Sequence, residues 1–191
     1  SSLVVLENTV NKGGGKCYHL SDIEPIYKLC AKKGIKLHLD GARIFNALVA
    51  TGDEASNYGK YFDGISVCLS KGLGAPIGSV FLASKETIKK ARKIRKVLGG
   101  GMRQAGFYAL DHHVNRLTDD HAHAKAIANA LVKANFVSSV MPVETNIVLF
   151  DVAKGFNAES IVQQLAQKGI LCSATSTQTI RFVTHLDISS S

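Results

Sequence analysis

The chain predicts an α/β fold, and three observations carry that prediction. Short apolar, β-branched runs alternate with stretches of helical period. Glycines punctuate the boundaries between them. Two of the apolar runs end on a charged residue followed at once by glycine, Asp40-Gly41 and Lys71-Gly72.

Leu3–Glu7 reads as the first strand. Ser21 with Glu24 three residues on has the form of a capping box, which opens a helix that runs to about residue 33 and stops at Gly34. Residues 35–40 form the next strand, followed by a short helix over 42–50. Residues 64–70 and 78–83 have apolar, β-branched strand content. Ser84 is placed to cap a basic helix that ends at Gly99-Gly100-Gly101. A long helix, with allowance for a kink, is expected over roughly 103–134, with His112, His113, His121 and His123 on its polar face. Strands over 136–141, 146–151, 170–174 and 179–184 follow, with an amphipathic helix over 158–168 that stops at Gly169. This texture predicts a large α/β domain over residues 1–120 and a small α+β domain over 121–191, joined by the long helix. The chain opens directly on a strand and its candidate site begins at residue 40. Several elements ordinarily precede such a site in a doubly wound sheet, so the sequence reads as the later part of a longer protein.

Composition narrows the function classes. Hydrophobic residues make up 46% of the 191 and charged residues 20%, as in a globular protein with a core. No apolar run approaches the roughly 18 residues of a membrane span, and the N-terminal residues do not form a secretory signal. Cys17, Cys30, Cys68 and Cys172 are scattered, which predicts reduced thiols in the cytoplasm and no clustered metal ligands. The net charge of +8 is concentrated in residues 85–103, where eight cations face Glu86 alone. Ile88, Ala91, Ile94 and Leu98 recur there at helical spacing. One helix with a basic outer face therefore explains the charge. It predicts a solvated surface or a rim attracting an anionic ligand, and no stacking aromatics accompany it to suggest nucleic acid. Gly72-Leu73-Gly74 lacks the spacing of a dinucleotide fingerprint.

Two strands ending in Asp40 and Lys71, with Arg43 close by, assemble a carboxylate, an amine and a guanidinium. That set suits a cofactor that forms a Schiff base with lysine and needs a carboxylate opposite its pyridinium nitrogen. Asp40 is equally a good cap for the helix after it. Arg181, between Ile180 and Phe182 of a strand, is a second candidate anion-binding cation, and His185 follows it.

Six segments, in order, resemble the low-specificity L-threonine aldolases, pyridoxal-phosphate enzymes of the aminotransferase-like fold. They are Leu6-Glu7-Asn8-Thr9, the run from His38 through Asp40-Gly41-Ala42-Arg43 to Ala47, and Ser70-Lys71-Gly72-Leu73-Gly74-Ala75-Pro76-Ile77-Gly78-Ser79. After these come Leu98-Gly99-Gly100-Gly101-Met102-Arg103-Gln104, Thr145-Asn146-Ile147-Val148 and Arg181-Phe182-Val183-Thr184-His185. The resemblance implies part of the large-domain sheet together with the small C-terminal domain. It implies cleavage of L-threonine or L-allo-threonine to glycine and acetaldehyde with pyridoxal 5'-phosphate as cofactor. Lys71 is then the Schiff-base lysine, Asp40 the partner of the pyridine nitrogen, Arg103 a phosphate ligand, and Arg43 and Arg181 the residues that hold the substrate carboxylate. A cytoplasmic homodimer or homotetramer is also implied. Val10 stands where the family pattern Glu-Asn-Thr-His-Asn has histidine, so a polar role there is not carried over. Another pyridoxal-phosphate reaction, transamination or β-elimination, and a non-catalytic fragment are the alternatives.

Overall fold

A computed structural model describes residues 2–102 and 104–189. The chain divides into two compact units. The first holds residues 2–9 and Cys17–Arg116, and the second holds Val10–Lys16 and residues 117–189.

The first unit is built on a four-stranded sheet in the order β1 (Leu3–Glu7), β2 (Lys36–Gly41), β3 (Gly64–Cys68) and β4 (Ser79–Ala83). The first three strands run parallel and β4 is antiparallel to β3. Along β2 the side chains alternate as a strand requires. Leu37 and Leu39 are buried, and His38 and Asp40 on the other face are half-buried. The buried face packs on α1 (Leu20–Lys32) through Ile23 and Cys30, and on α2 (Ile44–Thr51) through Ile44 and Ala47, with Tyr58 and Phe62 completing the core. Gly41 is required here by close approach, because a Cβ would lie 2.7 Å from the carbonyl oxygen of Ser66. On the opposite face Leu3, Val5 and Phe81 stay exposed.

The cap of α1 sits two residues earlier than Ser21 and Glu24 suggest. The His19 N–H donates to Asp22 Oδ2 at 3.1 Å, and Glu24 pairs instead with Lys28 at 2.6 Å. Starting at Leu20 places Leu20 three residues before Ile23 on the face that enters the core. A single turn, α3 (Ala55–Tyr58), carries Tyr58 and has no counterpart in the sequence reading. Ser84 does cap the basic helix, α4 (Lys85–Val97), its Oγ accepting from the Thr87 N–H at 3.3 Å. No residue of α4 is buried, and Ile94 is 60% exposed, so only part of its apolar stripe is used.

The long helix expected over 103–134 is instead two helices, α5 (Phe107–His112) and α6 (Leu117–Leu131). His113 ends the first, its ring Nδ1 lying 2.6 Å from the carbonyl oxygen of Leu73, and the chain then passes into the second unit. That side-chain tether to a different segment competes with continuation of the helix.

The second unit has an antiparallel sheet in the order β5 (Val137–Val140), β6 (Ile147–Val152), β8 (Thr179–Val183) and β7 (Ser173–Ala174). Residues 170–172 do not join β7, and Leu171 is 87% exposed. One face of β6, with Val148, Phe150 and Val152, packs on α6 and on α7 (Ala158–Gln167). Phe150 meets Phe182 edge to face at 5.3 Å. On the other face lies the Val10–Lys16 loop. It is closed by Val10 N–H donating to the Lys16 carbonyl at 2.8 Å, with Gly14 and Gly15 at φ 75° and 79°. His121 is buried in α6, contrary to the polar-face expectation, because its position falls on the helix side that also buries Leu117, Ala124 and Ala128.

Leu39→Ala is expected to cost about 2–5 kcal/mol in denaturant unfolding, whereas Leu3→Ala, on the exposed face of the same sheet, changes stability by about 0.5 kcal/mol or less. Equal losses would contradict this assignment of faces. Burial, aided by the positive charge of Lys125, lowers the His121 pKa from 6.5 to about 4. The unfolded chain therefore binds the proton more readily than the folded one. Stability from this group is complete above about pH 6.5 and declines as the pH falls toward 4. Melting temperature against pH checks this, with a flatter decline expected in His121→Gln.

Candidate active site

The candidate site of the first unit lies at the carboxyl ends of its parallel strands, where open α/β sheets place their ligands. Asp40 is the penultimate residue of β2 and pairs in register with Glu7 of β1 and Ser66 of β3. The Ala42 N–H donates to Asp40 Oδ1 at 3.1 Å, so the carboxylate is fixed against the turn that follows it. Asp40 is thus a turn-capping residue, while the helix itself starts later, with Arg43 at its N-cap. Among the described residues Oδ2 takes no hydrogen bond, which leaves a half-buried carboxylate oxygen available to a cationic group.

Lys71 comes three residues after the end of β3. Its carbonyl accepts from the Gly74 N–H at 2.8 Å, and the Ala75 N–H returns to Leu69 at 3.0 Å. Gly74 has φ 67°, a left-handed conformation that favours glycine. Leu73 and Ala75 are buried and anchor the turn, so Lys71 projects from a fixed base while its own side chain is exposed. Arg43 is half-buried. Asp40, Arg43 and Lys71 therefore gather at one end of one sheet.

Beside Asp40 the surface is shaped by His38 and its neighbours. His38 Nε2 lies 3.3 Å from Ser66 Oγ, and its ring sits 6.1 Å from that of Phe81. Gly64 makes room for both rings, since a Cβ there would come within 3.2 Å of each. Asn8, from the first motif, is fully buried and serves the fold. It exchanges hydrogen bonds with the Tyr18 backbone at 3.3 Å and donates to Tyr58 Oη at 3.4 Å. Burial, with Asp53 alongside, pushes the Tyr58 hydroxyl far above its ordinary pKa, so it stays protonated.

Arg181 belongs to the second unit. It lies on β8 opposite Leu149 of β6 and Ser173 of β7, on the face turned away from Ile180. Its Nη1 donates to Asn11 Oδ1 at 3.1 Å, and its Nε is buried with no hydrogen-bond partner among the described residues. A guanidinium in that state is suited to an anion. Asn11, which the sequence reading does not single out, is the closing asparagine of the Glu-Asn-Thr-His-Asn pattern in which Val10 replaces histidine; that match and the Gly13-Gly14-Gly15 run that follows are its sequence signals. His185 is exposed, with Nδ1 3.5 Å from Asp187. Arg103 lies outside the described residues.

In the first unit, Lys71 offers an amine and Asp40 a carboxylate oxygen without a partner, which fits a Schiff-base cofactor with a pyridine nitrogen. In the second unit, taken by itself, Arg181 offers a buried donor without a partner, which fits a carboxylate. Among the described residues no three His, Cys, Asp or Glu side chains group to hold a metal ion, and no helix is long and apolar enough to cross a membrane.

Comparison with known proteins is consistent with this chemistry. The low-specificity L-threonine aldolase 1 of Arabidopsis thaliana is 40% identical over 99% of this chain and 55% of its own length. The low specificity L-threonine aldolase of Escherichia coli K12 is 38% identical over 99% of this chain and 56% of its own. The chain thus spans about half the length of the curated relatives it matches. Among solved structures, the threonine aldolase of Leishmania major superposes with a TM-score of 0.74 at 20% identity, covering 98% of this chain and 57% of that one. A histidinol-phosphate aminotransferase from Clostridium acetobutylicum gives 0.69 at 16% identity, covering 97% and 60%. These place the chain in the aminotransferase-like fold. The beta-eliminating lyase family profile matches residues 1–155, and the chain belongs to that family.

Proposed function

We propose that this chain carries out pyridoxal-phosphate-dependent retro-aldol cleavage of L-threonine and L-allo-threonine, giving glycine and acetaldehyde. One observation carries the reading: Asp40 near the end of β2 and Lys71 in the turn just beyond β3 lie at the carboxyl ends of neighbouring parallel strands, with the carboxylate held by the Ala42 N–H and one oxygen left open. Relatives named low-specificity L-threonine aldolases at 38–40% identity support the same choice of reaction.

When bound, pyridoxal phosphate supplies the electron sink for the Cα–Cβ bond that breaks. The Lys71 amine would be the nucleophile that holds the cofactor. The Asp40 carboxylate would favour the protonated pyridine nitrogen through its negative charge. Arg43 and Arg181 bind the substrate carboxylate, each able to use a fork of two parallel hydrogen bonds. Arg103 is proposed to contact the cofactor phosphate, at the positive end of the charge run over residues 85–103. In this reading residues 1–120 are the cofactor-binding portion and 121–191 the small domain. A homodimer or homotetramer in the cytoplasm completes the proposal. None of the four cysteines is in a disulfide, as a reducing compartment favours.

Mixed with pyridoxal phosphate, the protein is expected to develop the visible absorbance of a lysine-bound cofactor, and Lys71→Ala to abolish it. Turnover of L-threonine, followed as acetaldehyde release, should fall at least roughly a thousandfold in Lys71→Ala and about a hundredfold in Asp40→Ala. Pyruvate formed from L-alanine in the presence of an amino acceptor, with no acetaldehyde from threonine, would overturn the assignment.

A further inference from the structure

We propose that Asn11 is a positioning residue for Arg181, and that it sets the direction from which the guanidinium meets a substrate carboxylate. The inference rests on the reading of Arg181 as a carboxylate-binding residue and adds to it the group that orients the fork.

The loop that carries Asn11 is built to bring it there. It leaves β1 of the first unit, yet its seven residues Val10–Lys16 pack within the second. Thr145 Oγ1 donates to the Gly15 carbonyl at 2.8 Å in a buried hydrogen bond between residues 130 positions apart. Gly14 lies against Leu149, where a Cβ would sit 3.6 Å from Cδ1, and a Cβ on Gly15 would be driven into Thr145. The Gly14 and Gly15 backbones both have positive φ. Glycine at these positions thus permits a close seat on β6, the strand that neighbours Arg181. Asn11, at the start of the loop, is then held with Oδ1 3.1 Å from Arg181 Nη1.

The consequence for Arg181 is directional. Leu149 and Ser173 are its cross-strand neighbours, and no carboxylate pairs with it among the described residues. A half-buried cation without an anion is costly, and a buried Nε without an acceptor adds to that cost. Asn11 is a neutral acceptor, so it fixes one nitrogen without cancelling the charge. It engages Nη1 and leaves the Nε side of the planar group for a carboxylate bound through two hydrogen bonds. An aspartate in its place would keep the acceptor but neutralise the guanidinium.

The test is ligand binding to the full-length holoenzyme, followed by the change in cofactor absorbance with two amines. Glycine carries the carboxylate and methylamine lacks it. In Asn11→Ala the glycine Kd is expected to rise about tenfold or more, with the methylamine Kd unchanged within about twofold. Asn11→Asp, which preserves size and acceptor, is expected to lose at least as much glycine affinity, again with methylamine spared. The cofactor-free variants should melt with the wild type, which provides a readout independent of the loaded enzyme. A glycine Kd unchanged in both variants, or equal weakening of both amines, overturns the role of Asn11. If Arg181→Ala leaves glycine binding intact, the carboxylate reading of Arg181 has failed and the proposal falls with it. If Arg181→Ala weakens glycine and Asn11→Ala does not, only the positioning role is lost.

Discussion

The register between β2 and β3 is the constraint on which the candidate site depends. Asp40 pairs with Ser66, and His38 with Gly64, so the carboxylate, the imidazole and the serine hydroxyl share one face of the sheet. The alternate residues Leu37, Leu39 and Val67 take the face that packs on α1 and α2. A slip of one residue would turn Asp40 toward the apolar core and Leu39 away from it. The hydrophobic burial that fixes the fold therefore also fixes which way the carboxylate points. Gly41 adds a steric condition, since the chain can turn away after Asp40 only where the backbone passes close to Ser66.

Much of this was legible in the sequence, for physical reasons that are specific to each element. β2 and β3 could be read because short apolar runs bounded by a charged residue and glycine have the composition of strands, and in β2 the polar positions Lys36, His38 and Asp40 alternate with Leu37 and Leu39. The cap at Ser84 could be read because its partner, the Thr87 N–H, lies three residues away. What could not be read depends on contacts between distant residues. The division of the 103–134 region into α5 and α6 involves a His113–Leu73 contact. The cap of α1 shifted because Leu20 enters the core. His121 is buried because of how α6 meets its sheet, which an Ala- and His-rich stretch of weak amphipathic pattern does not reveal.

The site residues divide in the same way. Asp40, Arg43 and Lys71 are close in sequence to the strand ends that position them, so their place at one end of the sheet could be read locally. Arg181 is different. Its sequence context, between Ile180 and Phe182, says only that it faces away from them. That it lacks a carboxylate partner and is held by Asn11, 170 residues earlier, emerges only from the folded second unit.

The Val10–Lys16 loop shows why such a contact is hard to foresee and easy to rationalise. A segment between β1 and α1 would ordinarily pack with its neighbours in the first unit. Here Gly14 and Gly15 allow it to lie flat on Ile147 and Leu149, and Thr145 ties it down. β6 is consequently buried on both faces, by α6 and α7 on one and by the loop on the other. An antiparallel strand that reads as a continuous apolar run, Ile147-Val148-Leu149-Phe150, requires cover on both sides. The run and the triple glycine are two halves of one packing solution, and Asn11 is placed against Arg181 as its by-product. A polar contact positioned by packing on this scale is rigid without being encoded next to the residue it serves.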